Sequence, residues 1–480
     1  MSRFGLLLVP MLVASATDLE HRIDSMIDAS PGSAHATVGV SVVQISTGKT
    51  IYRRNEDRLL LPASNMKLLT SSLALTRLGA DYTFTTKLML EPTGDLALIG
   101  SGDPTLSGRA FPYDRDAPMG PGLRAIEDLA DQAVKSGITR IDGDIVGDDR
   151  WYPWAPYAPS WTQADALGES GAPVSALTID ENVLTLLIRP GEQAGGAAAI
   201  EIQPALEYYA IDNRIATVGA GGEPHIRISR SNGSRQIELW GSIPANHAAI
   251  GETLAIDDPA LYAACALYDA LTRRGIAIAG RPRARHRSAF EDDEPAAGNL
   301  LASRESPPLE QILQVMDKVS QNLFAELMLR EVGRAMRHTG TREAGLEELR
   351  ALLSEAGASK DDERVEDGSG LARNAMVTPR LLTKLLTFMQ ASPHRDDWLA
   401  LLPIGGEDGT LKRRFADVGS KNPQAIRAKT GTLARSLALS GYAESKTHGR
   451  LAFSIIVNDF SAPSSDVRAL IDKIAIALLD

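Results

Sequence analysis

The chain has 480 residues, 44% of them apolar and 23% charged, with a formal net charge of −11. That much apolar material excludes global disorder, and the length argues for about three domains. Net acidity without a long Lys/Arg block argues against nucleic acid or anionic lipid as a partner. The single cysteine, Cys265, excludes an internal disulfide, an iron–sulfur cluster or an all-cysteine zinc site, and its apolar neighbours predict a buried core thiol.

The chain opens with Arg3, an apolar run over 4–13 and the small residues Ala14-Ser-Ala16. This pattern reads as a signal peptide over 1–16, with an exported chain starting at Thr17 and residing in the periplasm or outside the cell. The apolar run falls short of the ~20 residues that a membrane span needs. Alternation over 37–45, a Ser46-Thr-Gly-Lys49 turn and Thr50-Ile-Tyr predict a β-hairpin. Pro62 precedes an amphipathic helix over about 64–78 that stops at Gly79.

Short β runs punctuated by Gly, Pro and Asp dominate 87–303. Within them, helices over 121–135 and 259–273 are each followed by a strand, a weak internal repeat. A hairpin signal centres on Asn232-Gly233. Helices follow over about 308–317 and 320–336. Strands over 425–429, 436–443 and 451–458 and a helix over 466–479 close the chain. The terminal hairpin and the late strands are each too small for a stable sheet alone, so one shared sheet is predicted. The domains expected are 17–86 with 301–480, an α/β insertion over 87–176 and 251–300, and a nested β module over 177–250.

Several motifs carry no chemistry. The eight histidines are scattered singly, without metal-ligand spacing, so no metal site is predicted. Gly48-Lys49-Thr50 resembles the end of a phosphate loop, but Val43 stands where its first glycine belongs. Gly368-Ser-Gly370 is not flanked as a nucleophile elbow.

A serine–lysine arrangement remains. Ser64-Asn-Met-Lys67 puts a hydroxyl at a helix start and an amine one turn later on the same face. A helix N-terminus offers N–H groups where an oxyanion would form. A lysine acts as a base only when burial or a neighbouring cation keeps it neutral. Lys429-Thr-Gly431, on a predicted strand, supplies such a cation, and Gly431 would let a substrate backbone lie close. Ser320-Gln-Asn322 offers a hydroxyl and an amide to bridge the two lysines. Ser46 to Lys49 and Ser420 to Asn422 repeat two of these patterns and read as surface turns. Three ordered motifs are more specific than any one, and the set is that of β-lactamases and penicillin-binding proteins.

On these motifs the chain resembles the class C low-molecular-mass penicillin-binding proteins, the D-alanyl-D-alanine carboxypeptidases/endopeptidases. The likeness includes Leu61-Pro-Ala-Ser-Asn-Met-Lys67, Gly100-Ser-Gly-Asp-Pro-Thr-Leu106, Gly171-Ala-Pro-Val-Ser-Ala176 and Ser320-Gln-Asn-Leu-Phe-Ala-Glu326. It continues through Asp367-Gly-Ser-Gly-Leu371, Leu402-Pro-Ile-Gly-Gly-Glu-Asp-Gly-Thr-Leu411 and Ala428-Lys-Thr-Gly-Thr432. Gln321 departs from the family, where Asp is common.

The resemblance implies an α/β (α+β) transpeptidase-like domain built from both chain ends, with nested insertions and no cofactor. It implies a serine peptidase acting on peptidoglycan stem peptides and trapped by β-lactams. Ser64 would be the nucleophile, Lys67 its base, and the N–H groups of Ser64 and Thr432 the oxyanion hole. Ser320 would relay the proton and Asn322 would hold Lys67 and the substrate amide. Lys429 and Thr430 would bind the terminal carboxylate, and Asp149 and Arg373 would shape a side-chain pocket. A β-lactamase or esterase on the same framework, or a cell-wall binding protein without turnover, stays open at this stage.

Overall fold

In the computed structural model, which describes residues 16–291, 297–415 and 421–480, the two ends of the chain share one antiparallel sheet. Its strand order is Ile426–Leu433, Ser436–Ser445, Gly449–Asn458, Thr37–Gln44 and Thr50–Arg54. Val40 lies opposite Ile455 and Val42 opposite Phe453. Both faces of this sheet are covered, because successive side chains of a strand point to opposite sides. Phe453 and Ile455 pack with Leu19, Ile23, Val467 and Ile471 of the helices Ala16–Ala29 and Ser464–Ala477. Ala452 and Ile456 face the other way, into a core with helices Met66–Leu78 and Pro379–Ala391. Apart from Ala16, the residues read as a signal peptide lie outside the described ones.

A further core draws its buried residues from Leu88 to Ala302. There, strands Thr85–Leu90, Leu96–Ile99, Ile145–Asp148, Pro282–Arg285 and Asn299–Glu305 form another five-stranded sheet. The helices Arg124–Lys135 and Pro259–Arg273 each lead into short strands, and the two strand sets run side by side in parallel, Ile145 opposite Pro282. Beyond them lie two three-stranded sheets, in one of which His225–Ser229 and Gln236–Pro244 form the antiparallel pair around Asn232-Gly233. Cys265, on the second of those helices, is half-buried and not fully enclosed as predicted, and burial pushes its thiol up to about 11.

The middle of the chain meets the first body along a broad front, from Tyr113 against Gly409 to Tyr152 against Glu331 and Trp161 against Asp367. The short turns Glu169–Gly171 and Asp180–Asn182 reach the start of helix Asn322–Arg337. That junction borders the cleft described next.

Candidate active site

Ser64 sits in the turn Ala63–Asn65, directly ahead of helix Met66–Leu78. Every residue of that helix from Met66 to Leu75 is buried, so it is a central helix and not the one-faced surface helix its apolar spacing predicts. Ser64 itself stays half-exposed and lines a cleft of about 410 Å³. Lys67 is fully buried, and its Nζ lies 3.0 Å from Ser64 Oγ, 2.6 Å from Asn322 Oδ1 and 3.0 Å from the Ser369 carbonyl. A neutral amine has two hydrogens and one lone pair. The amide and carbonyl oxygens can only accept, so they take the hydrogens and leave the lone pair for the Ser64 hydroxyl. Burial, followed by the charge of Lys429, brings Lys67 down to about 7, while the carboxylates of Asp367, Asp317 and Glu326 pull the other way. Such a lysine is available as a base near neutral pH.

Lys429 comes from the edge strand Ile426–Leu433 and is also fully buried. Its Nζ donates to Ser320 Oγ at 2.8 Å and to the Thr430 carbonyl at 3.0 Å. Ser320 takes the left-handed backbone (φ +66°) immediately before helix Asn322–Arg337. Asn322 bonds Lys67 through its oxygen, and its Nδ2 donates to the Ser170 carbonyl at 2.8 Å. Asp317, buried in the preceding helix, faces both lysines; burial pushes its carboxyl up and Lys429 opposes that rise. Thr430 and Thr432 line the cleft, with Thr430 Oγ1 held by Thr410 at 2.9 Å.

Two glycines here are required by close approach. A Cβ on Gly370 (φ +80°) would lie 1.9 Å from the Ala63 carbonyl oxygen. A Cβ on Gly431 would lie 2.3 Å from the Pro62 carbonyl oxygen. Gly431 thus packs the strand against the nucleophile turn, which corrects the reading that it makes room for substrate. Gly431→Ala should push that strand off Pro62 and destabilise the fold by ~1–3 kcal/mol, the ordinary cost of overpacking. Thermal unfolding measured beside penicillin acylation checks this, and an unchanged melting point would refute the contact.

Asp149 does not reach the cleft. It is 1% exposed, accepts from Ser175 Oγ at 2.8 Å and pairs with His286 Nδ1 at 2.9 Å. His286 also meets Asp258 at 3.3 Å and stacks on Trp154. Burial works against its charge, but the bonds to the two carboxylates outweigh it and push His286 up to about 10. Asp149 is therefore satisfied among residues of the middle of the chain, and its expected pocket role is corrected. Arg373 lies two residues beyond Leu371 of the cleft wall, and its exposed guanidinium pairs with Asp165 at 2.7 and 3.0 Å. The carboxylate that meets Arg373 is that of Asp165, which sequence reasoning missed along with the Ser369 carbonyl, Asp317, Ser170 and Thr410. No group of His, Cys, Asp and Glu among the described residues is arranged to hold a metal ion.

Comparison with known proteins gives this geometry its context. The model of the D-Ala-D-Ala carboxypeptidase 3 (S13) family matches residues 19–478. A D-alanyl-D-alanine carboxypeptidase of Actinomadura sp. is 33% identical over 485 residues, covering 97% of this chain and 85% of the relative. Penicillin binding protein 4 of Haemophilus influenzae shares the fold at a TM-score of 0.81 and 21% identity, over 94% of this chain and 99% of that one. The same protein complexed with a β-lactam superposes at a TM-score of 0.74 and 21% identity, over 95% and 99% of the two chains. With its family model spanning nearly its whole length, the chain belongs to the D-Ala-D-Ala carboxypeptidase 3 (S13) family and is a serine peptidase of the low-molecular-mass penicillin-binding-protein type.

Proposed function

We propose that the chain cleaves the D-Ala-D-Ala end of peptidoglycan stem peptides through an ester on Ser64, with Lys67 as the base. The observation that carries the proposal is the short contact from a buried, depressed-pKa Lys67 to Ser64 Oγ, 3.0 Å away. Ser64 Oγ attacks the penultimate D-Ala carbonyl as its proton passes to Lys67. The N–H groups of Ser64 and Thr432 stabilise the oxyanion. As the C–N bond breaks, Ser320 passes a proton to the leaving amine, while Asn322 holds Lys67 and the substrate amide. Lys429 and Thr430 bind the terminal carboxylate. Water then cleaves the ester and restores Ser64. The same steps on a D-Ala cross-link constitute endopeptidase activity. A β-lactam would stop at the ester, which suits a family with a solved β-lactam complex.

Arg373, two residues beyond Leu371 of the cleft wall and paired with Asp165, is assigned to the stem-peptide side chain. The domain division (17–86 with 301–480, an insertion over 87–176 and 251–300, a nested module over 177–250) is proposed on the separate core drawn from Leu88 to Ala302. Export is proposed on the leader pattern, and no helix among the described residues is long and apolar enough to cross a membrane. The test is joint incubation with a labelled penicillin and a D-Ala-D-Ala peptide. The label should map to the tryptic peptide carrying Ser64, and D-Ala release should fall in step with labelling. Label on any other residue, or release that persists in fully labelled protein, would overturn the assignment.

A further inference from the structure

Gln321, between Ser320 and Asn322, has a specific partner from the inserted region. Its Nε2 donates to Glu181 Oε2 at 2.6 Å, and its Oε1 accepts the Leu323 N–H at 2.8 Å, capping the helix that carries Asn322. Glu181 is 4% exposed and takes a two-toothed bond from Arg109, with Nη2 at 2.9 Å from Oε2. The carboxylate is anchored from behind. Asp180, Glu181 and Asn182 all hold left-handed φ of +47°, +55° and +56°. Three non-glycine residues in that region persist only where their surroundings over-determine them. Here the surroundings are bonds from the Asp180 N–H to the Leu106 carbonyl, from Asn182 Nδ2 to the Pro173 carbonyl, and from the Ile256 N–H to the Asn182 carbonyl. Ser320, on the other side of the contact, is itself left-handed at φ +66°.

We infer that Glu181 is a positioning residue for the serine peptidase reaction: through Gln321 it holds Ser320 and Asn322 in register with the two lysines. The amide at position 321 is what makes this possible. A carboxylate there would face Glu181 at hydrogen-bond distance with no proton between them, and two like charges so close cannot both be comfortably ionised. Glutamine supplies the donor. The inserted region therefore completes the catalytic geometry from outside the cleft, since Glu181 itself touches neither Ser64 nor Lys67.

The inference rests on Ser320 serving as proton relay, so its test carries Ser320→Ala as a control. Gln321→Glu keeps shape and length but puts a carboxylate against Glu181. Penicillin acylation at saturation should fall about 10- to 100-fold, the scale of a lost charge-assisted hydrogen bond, with a smaller loss of noncovalent affinity because Asn322 also holds the substrate amide. The double variant Gln321→Glu/Glu181→Gln removes the like-charge contact and should recover part of the rate. Recovery is partial because its new amide N–H also faces Arg109 Nη2, which in the parent donates to Glu181 Oε2. Thermal unfolding of each variant separates misplacement from collapse. Gln321→Glu acylating at the parent rate while Ser320→Ala is inactive would overturn the positioning role alone. The same holds if a folded double variant fails to recover. Ser320→Ala acylating at the parent rate would overturn the relay and, with it, this inference.

Discussion

Replacing Lys67 by alanine should lower acylation of Ser64 by peptide and penicillin alike by about 100- to 10,000-fold, the range a positioned general base contributes. Both reagents need the same hydroxyl activated, so both should lose reactivity together, whatever their own electrophilicity. The substitution also strands two acceptors, Asn322 Oδ1 and the Ser369 carbonyl, which lie 2.6 and 3.0 Å from Nζ. Each unsatisfied buried acceptor costs ~1–3 kcal/mol, so Lys67→Ala should also melt earlier than the parent. Ser64→Ala is the informative contrast. It removes a half-exposed hydroxyl from the cleft and should abolish labelling with little change in unfolding. Rapid-mixing acylation rates beside melting curves decide the matter. A folded Lys67→Ala that acylates within about tenfold of the parent would remove Lys67 from the role of base.

The difference between those two variants shows why the motifs were legible in the sequence. Ser64 and Lys67 lie on one helix start, Ser320 and Asn322 on another, and Lys429 to Thr432 on one strand. Each set is local, so spacing and helix periodicity are enough to read it. The shared sheet was legible for a related reason: neither terminal strand set could bury itself alone. Contacts made by backbone or by distant side chains leave no such trace. The Ser369 carbonyl that takes a hydrogen from Lys67 is 302 positions away in the chain, and a carbonyl is present at every residue.

Asp149 shows the same limit from the other side. Asp149, in Gly147-Asp-Asp-Arg150, resembles an acid of the family's side-chain pocket, yet His286, 137 residues on, takes its carboxylate. The acid that does pair with Arg373 lies in Gln163–Leu167, where Thr162 and Asp165 also form a capping box. A helix-capping reading explains that Asp locally and hides its second partner. Gly431 was misread because a missing side chain signals close approach without saying what approaches. In the fold it is the Pro62 carbonyl.

Lys429→Ala should reduce kcat/KM for the peptide by about 10- to 100-fold, through loss of a charge-assisted contact to the terminal carboxylate. Its pH profile should change as well. Acylation requires neutral Lys67, so the rate rises with pH through the Lys67 pKa of about 7. After burial, the positive charge of Lys429 is the larger cause of that low value. Removing it makes protonation of Lys67 easier, so the pKa rises and the acidic limb moves to higher pH. Asp317, Asp367 and Glu326 act in the opposite sense to Lys429 on Lys67, and their charges then go unopposed by that lysine. Lys429→Arg separates charge from shape: it keeps the cation, so its limb should stay near that of the parent even if the altered donor geometry at Ser320 slows the reaction. Acylation rates across roughly pH 5 to 10 bracket the expected base. A limb that stays in place in Lys429→Ala would mean that burial alone tunes Lys67, leaving Lys429 to hold Ser320 and the substrate carboxylate.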